Sequence, residues 1–398
     1  MNEFYARLAN ELTALGDKRA VRNILGSMQG PRAILNGREV IIMSSTNYLG
    51  LASHPKVIEG AKQAVEALGA GTASGPRICG VTSLHRQLEE RLAKLLRAEE
   101  SVLYNSAFQA NVGLLPCIAR EGDIIFSDEL NHASIVDGCR LSRAETNVYK
   151  HTNMKQLEEM LEVSGKYGLR LIITDGVFSM DGDLAPLHDL LDLARKYKAI
   201  LCVDDAHGLG VIGKNGRGTA EYYGVEGEIH IQTGTLGKAL GGGVGGYVVG
   251  TSNLASYLVE YSRTYRFTNT LPPADVGASL AAIDVMEGRP ELRDILWQNV
   301  AYFRDEVRKL GFDMVPSVTP IVPILTYQEE HAFRMSAELM ELGIFMQAYG
   351  VPVVPKGLAR LRVIVTAAHS HEDLDQVIYA LGVVGRKLGL LSKKGAVA

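Results

Sequence analysis

The run Thr233-Gly-Thr-Leu-Gly-Lys238-Ala-Leu-Gly-Gly-Gly-Val-Gly-Gly246 surrounds one lysine with small residues. Glycine has no Cβ, so the backbone beside Lys238 can fold tightly and approach a bound group closely. A desolvated lysine loses its proton readily, and only the neutral amine attacks a carbonyl to form a Schiff base. Lys238 is therefore a candidate covalent anchor. A surface loop with a solvated lysine or a phosphate-binding loop could have a similar sequence, although the spacing is not that of a P-loop.

Composition narrows the class of protein. The chain has 398 residues, of which 46% are hydrophobic and 22% charged, as in ordinary globular proteins. A net charge of −4 gives no global attraction to nucleic acid or to an anionic membrane. The N-terminus lacks the apolar core of a leader peptide, and no apolar run is long enough to span a bilayer, so we expect a cytoplasmic protein. The four cysteines form no metal-binding pattern, which predicts reduced, mostly buried thiols and no metal site.

Short β-rich runs alternate with helical stretches through the middle of the chain. This alternation is typical of an α/β fold with a mostly parallel sheet between helices. A helix-rich stretch at 272–310 and two further runs with helices predict a smaller α+β unit, and the tail at 392–398 is expected to fray. We expect an N-terminal helix and arm at 1–45, a large domain at 46–275 and a small domain at 276–398. The predicted strands are a short one that ends at 41–44, followed by 101–104, 123–126, 169–174, 199–203, 229–232, 319–325 and 360–365.

Polar residues that follow these strands are candidate site residues, because ligands gather at the carboxyl ends of parallel strands. Asp204 follows the run 199–203. A carboxylate there can keep a heteroaromatic ring nitrogen protonated through a charge-assisted hydrogen bond. His207 could contact another polar atom of the same ring. A helix N-cap and an ordinary loop histidine would explain the same two residues.

Three more strand ends carry candidates. His132 could stack on a planar ligand, and Ser179 presents a hydroxyl. The amides of Ala107 and Phe108 open a helix and could bind a phosphate with help from the helix dipole. A structural loop histidine, a polar turn and a cap made by Ser106 are the ordinary alternatives.

Pyridoxal 5′-phosphate uses all of these groups. It needs a Schiff-base lysine, a carboxylate on its ring nitrogen, a stacking ring, a hydroxyl at its phenolic oxygen and a phosphate seat at a helix start. Each candidate is weak alone, but their occurrence at successive strand ends predicts this cofactor.

The sequence also resembles a known family, the α-oxoamine synthases. These are fold-type-I pyridoxal phosphate enzymes that condense an amino acid with an acyl-CoA. The likeness runs from about Asn47 to His369. Its motifs are Asp204-Asp-Ala-His207-Gly, Gly234-Thr-Leu-Gly-Lys238-Ala, Phe267-Thr-Asn-Thr-Leu-Pro-Pro273 and Arg360-Leu-Arg362 with Ala367-Ala-His369.

The resemblance implies a role for each candidate. Lys238 would bond covalently to the cofactor and later move the Cα proton of the substrate. Asp204 would pair with the pyridinium nitrogen, and His132 would stack on the ring. Ser179 and His207 would contact the phenolic oxygen.

It also implies a shared site in a homodimer. The Ala107 and Phe108 amides and the Thr235 hydroxyl would hold the phosphate, with Thr268 reaching in from a second subunit. Closed two-fold dimers are also the commonest oligomers.

Asn47 and Arg362 would hold the substrate carboxylate, a task that suits the planar fork of arginine. Strand alternation places Arg360 on the same face as Arg362, so the choice of Arg362 rests on the resemblance.

The resemblance leaves the substrates less defined. The segments 130–134, 175–182 and 352–357 look most like the branch that joins glycine to acetyl-CoA and keeps the carboxylate, so these substrates are expected. The branch that joins alanine to a pimeloyl thioester and releases carbon dioxide is almost as similar, and a serine palmitoyltransferase-like reaction is a further alternative. Pro76 stands where some relatives carry a small hydroxyl residue, which leaves glycine, alanine and serine open.

Two more distant alternatives belong to other classes. Another fold-type-I enzyme, such as an aminotransferase or decarboxylase, would share Lys238 and Asp204, but the motif at 360–369 argues against it. A catalytically silent, partner-binding relative would be expected to have lost Lys238, which is present.

Overall fold

The computed structural model describes residues 2–15, 22–241 and 243–391. The tail that we expected to fray, at 392–398, lies outside the described residues, as does Gly242. The first part of the chain forms elements that lead into a central sheet. They are α1 (Glu3–Leu15), β1 (Arg32–Leu35), β2 (Arg38–Ile42), α2 (Pro55–Leu68), α3 (Ser83–Leu95), β3 (Glu100–Tyr104), α4 (Ala107–Ile118), β4 (Ile124–Asp128), α5 (Ala133–Leu141), β5 (Glu145–Tyr149), α6 (Met154–Glu162), β6 (Arg170–Asp175), α7 (Leu187–Tyr197), β7 (Ile200–Asp204), α8 (Thr219–Tyr223), β8 (Ile231–Thr235) and β9 (Gly246–Gly250).

The second part is rich in helices. A break at Arg289 and Pro290 divides the predicted helix-rich stretch into two long helices, and two of the later strands match the predicted runs. The elements are α9 (Ser252–Tyr261), α10 (Arg263–Arg266), α11 (Pro273–Gly288), α12 (Glu291–Leu310), β10 (Ile321–Tyr327), α13 (Glu329–Glu341), β11 (Ile344–Phe345), β12 (Gln347–Tyr349), β13 (Ala359–Ile364) and α14 (His371–Lys387).

The central sheet has the strand order β3-β9-β8-β7-β6-β4-β5 within the described ranges. The strands β8, β7, β6, β4 and β5 are parallel, whereas β9 is antiparallel to both of its neighbours. This is the predicted fold class, a mostly parallel sheet between helices. Asp175 pairs with Asp204, and Asp204 with Thr233, so the carboxyl ends of three strands lie side by side.

The strands β4, β6 and β7 of the central sheet contain unbroken apolar runs in the sequence because both faces of the sheet are buried there. Along β6, Ile172 packs into one core with helices α6 and α7, while Leu171 and Ile173 pack into another with α4 and α5. Successive strand residues point to opposite faces, so one short run supplies both cores.

Two strands of this sheet were not predicted. The edge strand β5 is polar and only partly buried, so it lacks the apolar signal. Strand β9 is bounded by glycines at both ends and follows the glycine-rich run directly. The strand predicted at 229–232 lies further along, at Ile231–Thr235.

Smaller sheets complete the fold. One has the order β10-β13-β12, and the other joins β1 and β2 to β11, so the N-terminal arm pairs with the C-terminal part of the chain. The domain limits at 45/46 and 275/276 stay a prediction. No helix in the described ranges is long and apolar enough to cross a membrane. All four cysteines are free thiols, and Cys79 is exposed.

Candidate active site

A pocket lies at the carboxyl edge of the parallel strands. It brings together six of the predicted site residues, which come from separate loops and strand ends. Its lining residues are Ala107, His132, Ser134, Asp175, Val177, Ser179, Asp204, Ala206, His207 and Lys238.

Lys238 enters the pocket from the loop between β8 and β9. Its neighbours Ala239 and Leu240 are buried and hold the loop against the core. A Cβ on Gly237 would lie 2.6 Å from the carbonyl oxygen of Gly243, so glycine is required there. Burial lowers the pKa of Lys238 from 10.5 to about 8, although the charges of Asp204 and Asp175 oppose that shift. The amine is therefore prepared to act as a nucleophile and base near neutral pH.

Asp204 is the buried last residue of β7. Its Oδ2 accepts a hydrogen bond of 2.5 Å from Nδ2 of Asn111, and its Oδ1 accepts one of 3.0 Å from the amide of Ala206. The adjacent Asp205 binds the amide and hydroxyl of Thr219 instead. The two neighbouring carboxylates therefore have different tasks, and the one that lines the pocket is Asp204.

His132 is the N-cap of α5. Its Nδ1 lies 2.8 Å from the hydroxyl of Ser134, and its backbone amide donates a 3.0 Å hydrogen bond to Oδ2 of Asp175. The ring of Phe108 meets it edge-on at 6.4 Å. Burial lowers the pKa of His132, and the charge of Lys238 lowers it further, while Asp204 opposes both. A neutral ring fixed at this wall suits stacking on a planar ligand.

His207 is buried beside Tyr48, whose hydroxyl lies 2.7 Å from Nδ1 of the imidazole. Burial and the charges of Lys238 and Arg362 keep the pKa of His207 well below its usual value. Burial raises the pKa of Tyr48 to about 12, so the phenol keeps its proton. With the phenol as donor to Nδ1, the single ring proton of the neutral imidazole lies on Nε2, and His207 can then donate that proton to a ligand.

The predicted phosphate seat lies at the start of α4. The hydroxyl of Ser106 accepts a hydrogen bond from the amide of Gln109, beyond the amides of Ala107 and Phe108. Ala107 lines the pocket, whereas the side chain of Phe108 is 43% exposed. Thr235 lies outside the pocket lining, where its hydroxyl donates to the carbonyl of Gly245 at 3.1 Å.

Thr268 also lies outside this pocket. Its hydroxyl accepts a 3.2 Å hydrogen bond from Asn105, and it lines a separate cleft with His85 and Glu89. Its contribution to a neighbouring subunit stays a prediction.

The two arginines of β13 have different partners. Arg360 is fully buried, forms an ion pair with Asp181 and donates to the carbonyl of Met180 at 3.0 Å. Arg362 donates through Nε to the carbonyl of Ser179, and among the described residues it has no carboxylate partner. Asn47, the other predicted carboxylate ligand, is buried and accepts a 3.1 Å hydrogen bond from the amide of Ala52.

Several pocket residues were not among the predicted site residues. Asp175 is buried, and its pKa is raised well above the usual value by burial and by Asp204, although Lys238 and the amide of His132 oppose the rise. Tyr48 and Asn111 contact the site from distant segments. Only Asp175 carried a sequence signal, because it directly follows a predicted strand just as Asp204 does.

The arrangement fits pyridoxal 5′-phosphate. One wall supplies a nucleophilic amine, and the others supply a buried carboxylate, a neutral ring, a hydroxyl and a helix start. The residues that would hold the cofactor are Lys238, Asp204, His132, His207, Ser179, Ala107 and Phe108. No cluster of metal ligands occurs in the part of the chain that the structure describes.

Known proteins match the chain over nearly its whole length. The family described as aminotransferase class I and II matches residues 38–381. The 8-amino-7-oxononanoate synthase of Symbiobacterium thermophilum is 47% identical, with 98% of this chain and 100% of that protein covered. The 8-amino-7-oxononanoate synthase 1 of Bacillus subtilis is 44% identical, with the same coverage of both proteins. A solved structure of serine palmitoyltransferase (SPT) with pyridoxal phosphate has a TM-score of 0.93 at 29% identity, covering 98% of this chain and 99% of that one.

Proposed function

This chain belongs to the class I and II aminotransferase family and, within it, to the α-oxoamine synthases, and from that premise we propose that it joins alanine to a pimeloyl thioester with loss of carbon dioxide. Its cofactor is pyridoxal 5′-phosphate, and its reaction class is a Claisen-type condensation. The observation that supports the cofactor and the reaction class is one pocket that holds both the amine of Lys238, with a pKa of about 8, and the carboxylate of Asp204. The choice of alanine and a pimeloyl thioester is supported by the relatives named 8-amino-7-oxononanoate synthase.

The expected preference for glycine and acetyl-CoA is not supported. It rested on three short segments, whereas relatives named 8-amino-7-oxononanoate synthase are 44% and 47% identical to 98% of the chain. Similarity over the whole chain includes the residues of every pocket wall. It is therefore stronger evidence for the substrates than similarity in three short segments. The alternative with alanine and a pimeloyl thioester fits these relatives better.

The name of the relatives also specifies which atoms are joined. Their product has nine carbons, with the oxo group next to the carbon that carries the amine. A seven-carbon pimeloyl group supplies the acid end and the oxo carbon. Alanine supplies the last two carbons only if its carboxylate leaves as carbon dioxide.

Residues of the pocket have a role in the steps of this condensation. When bound, the cofactor supplies an electron sink for the carbanion at the Cα of the amino acid. The neutral amine of Lys238 would remove the Cα proton, and Asp204 would stabilise positive charge on the ring nitrogen of the cofactor. The Cα then bonds to the acyl carbonyl carbon while the thiolate leaves. Carbon dioxide departs from the former carboxylate, and the ammonium of Lys238 returns a proton to Cα.

Thiol release and carbon dioxide provide the test. The purified, cofactor-loaded protein is given alanine, glycine or serine, each with the pimeloyl, acetyl or palmitoyl thioester of CoA. We expect thiol and carbon dioxide in equal amounts, with the highest kcat/KM for alanine and the pimeloyl thioester. Thiol release from glycine and acetyl-CoA without carbon dioxide would return the protein to the acetyl-transferring branch.

We propose that Arg362 holds the substrate carboxylate. Arg362→Lys is expected to raise the KM for alanine roughly tenfold or more, because an ammonium cannot form the two parallel hydrogen bonds of a guanidinium. Steady-state kinetics measure the effect.

Arg360→Lys is the matched control for Arg362→Lys. It should leave that KM within about threefold and lower the free energy of unfolding by about 2 kcal/mol, because Arg360 is bound to Asp181 and Met180. An increased KM in Arg360→Lys alone would reverse the assignment.

We also propose a homodimer with shared sites, in which Thr268 contacts the neighbouring phosphate seat. Large exposed apolar side chains support this arrangement, since Phe267, next to Thr268 in the sequence, is 71% exposed and Ile78 is 82% exposed. Sedimentation velocity of the loaded protein should give a dimer mass at micromolar concentration. A monomer with full activity would contradict the shared site.

A further inference from the structure

The buried amide of Asn111 contacts two walls of the pocket at once. We propose that Asn111 is a positioning residue that sets the direction of the Asp204 carboxylate and, through Ser134, the ring of His132. The inference rests on the proposed cofactor roles of Asp204 and His132 but on no particular substrate.

Asn111 lies in the second turn of α4 and is fully buried. Its Nδ2 donates to Oδ2 of Asp204 at 2.5 Å and to the hydroxyl of Ser134 at 2.9 Å. Its Oδ1 accepts from the hydroxyl of Thr233 at 2.9 Å. A flipped amide would turn Oδ1 towards the Asp204 carboxylate, so only one orientation satisfies all three partners.

The contact with Ser134 determines the tautomer of His132. Because Asn111 donates to the Ser134 oxygen, the hydroxyl proton of Ser134 is available for Nδ1 of His132, 2.8 Å away. The backbone amide of Ser134 also donates to this nitrogen at 3.2 Å. Nδ1 is therefore an acceptor, and the ring proton lies on Nε2. One amide thus fixes both a carboxylate and a ring.

Helix packing alone does not require this amide. A buried polar group costs free energy unless it is hydrogen-bonded, and an apolar side chain would fill the same space without that requirement. Helices α4 and α5 touch here, because a Cβ on Gly138 would lie 2.9 Å from the carbonyl oxygen of Asn111. The same helix begins at the proposed phosphate seat, so one rigid element positions the groups for both ends of the cofactor.

The test compares Asn111→Ala with a second buried asparagine. Asn299 donates to the carbonyls of Thr366 and His369 at 3.1 and 2.9 Å, away from the pocket lining. Asn299→Ala should therefore lower the unfolding midpoint without changing the affinity for the cofactor or the pH titration of its visible absorbance. Asn111→Ala should weaken cofactor binding at least tenfold, shift the pH titration of the visible absorbance of the bound cofactor and lower kcat more than it raises KM.

A third variant separates the two partners. Ser134→Ala removes the hydroxyl that joins Asn111 to His132 but keeps the hydrogen bond between Asn111 and Asp204, so it should change cofactor affinity less than Asn111→Ala does. If Asn111→Ala lowers the unfolding midpoint but its affinity and titration curve match the wild type, Asn111 is merely structural and the proposal is wrong. The affinity and titration need no acyl donor, so failure of the alanine and pimeloyl assay would leave this result intact.

Discussion

Lys238→Ala is expected to remove the visible absorbance of the cofactor-loaded protein and to lower turnover by about a thousandfold. Two functions of one side chain disappear together, the covalent bond to the cofactor and the base that moves the Cα proton. Absorbance spectra after gel filtration measure the first function, and thiol release measures the second.

The controls separate chemistry from charge. Lys238→Arg keeps a cation in the loop but offers no neutral amine, so it should fail as Lys238→Ala does. Lys62→Ala removes an exposed lysine of α2 and should leave both measurements unchanged. Added methylamine should restore part of the turnover of Lys238→Ala. Unchanged turnover in Lys238→Ala would remove the basis of the proposed function.

The lowered pKa also predicts how fast the cofactor is taken up at different pH values. With a pKa of about 8, roughly a tenth of Lys238 is neutral at pH 7, against about one part in three thousand at the ordinary value. The rate of cofactor uptake should therefore rise with pH and level off above about pH 8. A rate that continues to rise towards pH 10 would indicate an unperturbed lysine.

Local signals in the sequence predicted much of the fold. Parallel strands buried on both faces are continuous apolar runs, so β4, β6 and β7 were identifiable, and their ends located Asp204 and His132. The edge strand β5 exposes polar residues and lacks that signal. What no local pattern shows is contact between distant segments.

The site residues that the sequence did not predict depend on such contacts between distant segments. Tyr48 is hydrogen-bonded to His207, which lies 159 residues away in the sequence, and Asn111 is hydrogen-bonded to Asp204, which lies 93 residues away. The arginines pose a related problem, because strand alternation puts Arg360 and Arg362 on one face. They differ in their partners from another segment, since Arg360 is paired with Asp181 whereas Arg362 donates to the carbonyl of Ser179.

The substrates were a harder problem than the site. Short segments favoured glycine and acetyl-CoA, but the residues that bind the cofactor are common to every branch of the family. Discrimination between acyl groups depends on walls that many segments build together. Such walls have no short motif, which is why similarity over the whole chain was needed to correct the expectation.

Asp204→Asn should lower turnover by about a hundredfold to a thousandfold while the visible absorbance of the cofactor remains. Lys238 still forms the covalent bond, but an amide carries no negative charge to stabilise a protonated ring nitrogen. The pH titration of the absorbance should therefore change, and kcat should fall more than KM rises. Spectra across pH and steady-state kinetics with the best substrate pair test both effects.

Asp205→Asn gives a matched control one residue away. Asp205 accepts hydrogen bonds of 2.7 and 3.1 Å from Thr219, and its role is to hold the start of α8. Its amide variant retains one acceptor and loses the other, so the free energy of unfolding should fall by about 1–2 kcal/mol with kcat within about threefold of wild type. If Asp205→Asn abolished turnover and Asp204→Asn did not, the catalytic and structural roles of the two carboxylates would have to be exchanged. Because Asp204 lines the pocket whereas Asp205 is hydrogen-bonded to Thr219, the opposite result is expected, with chemistry at Asp204 and stability at Asp205.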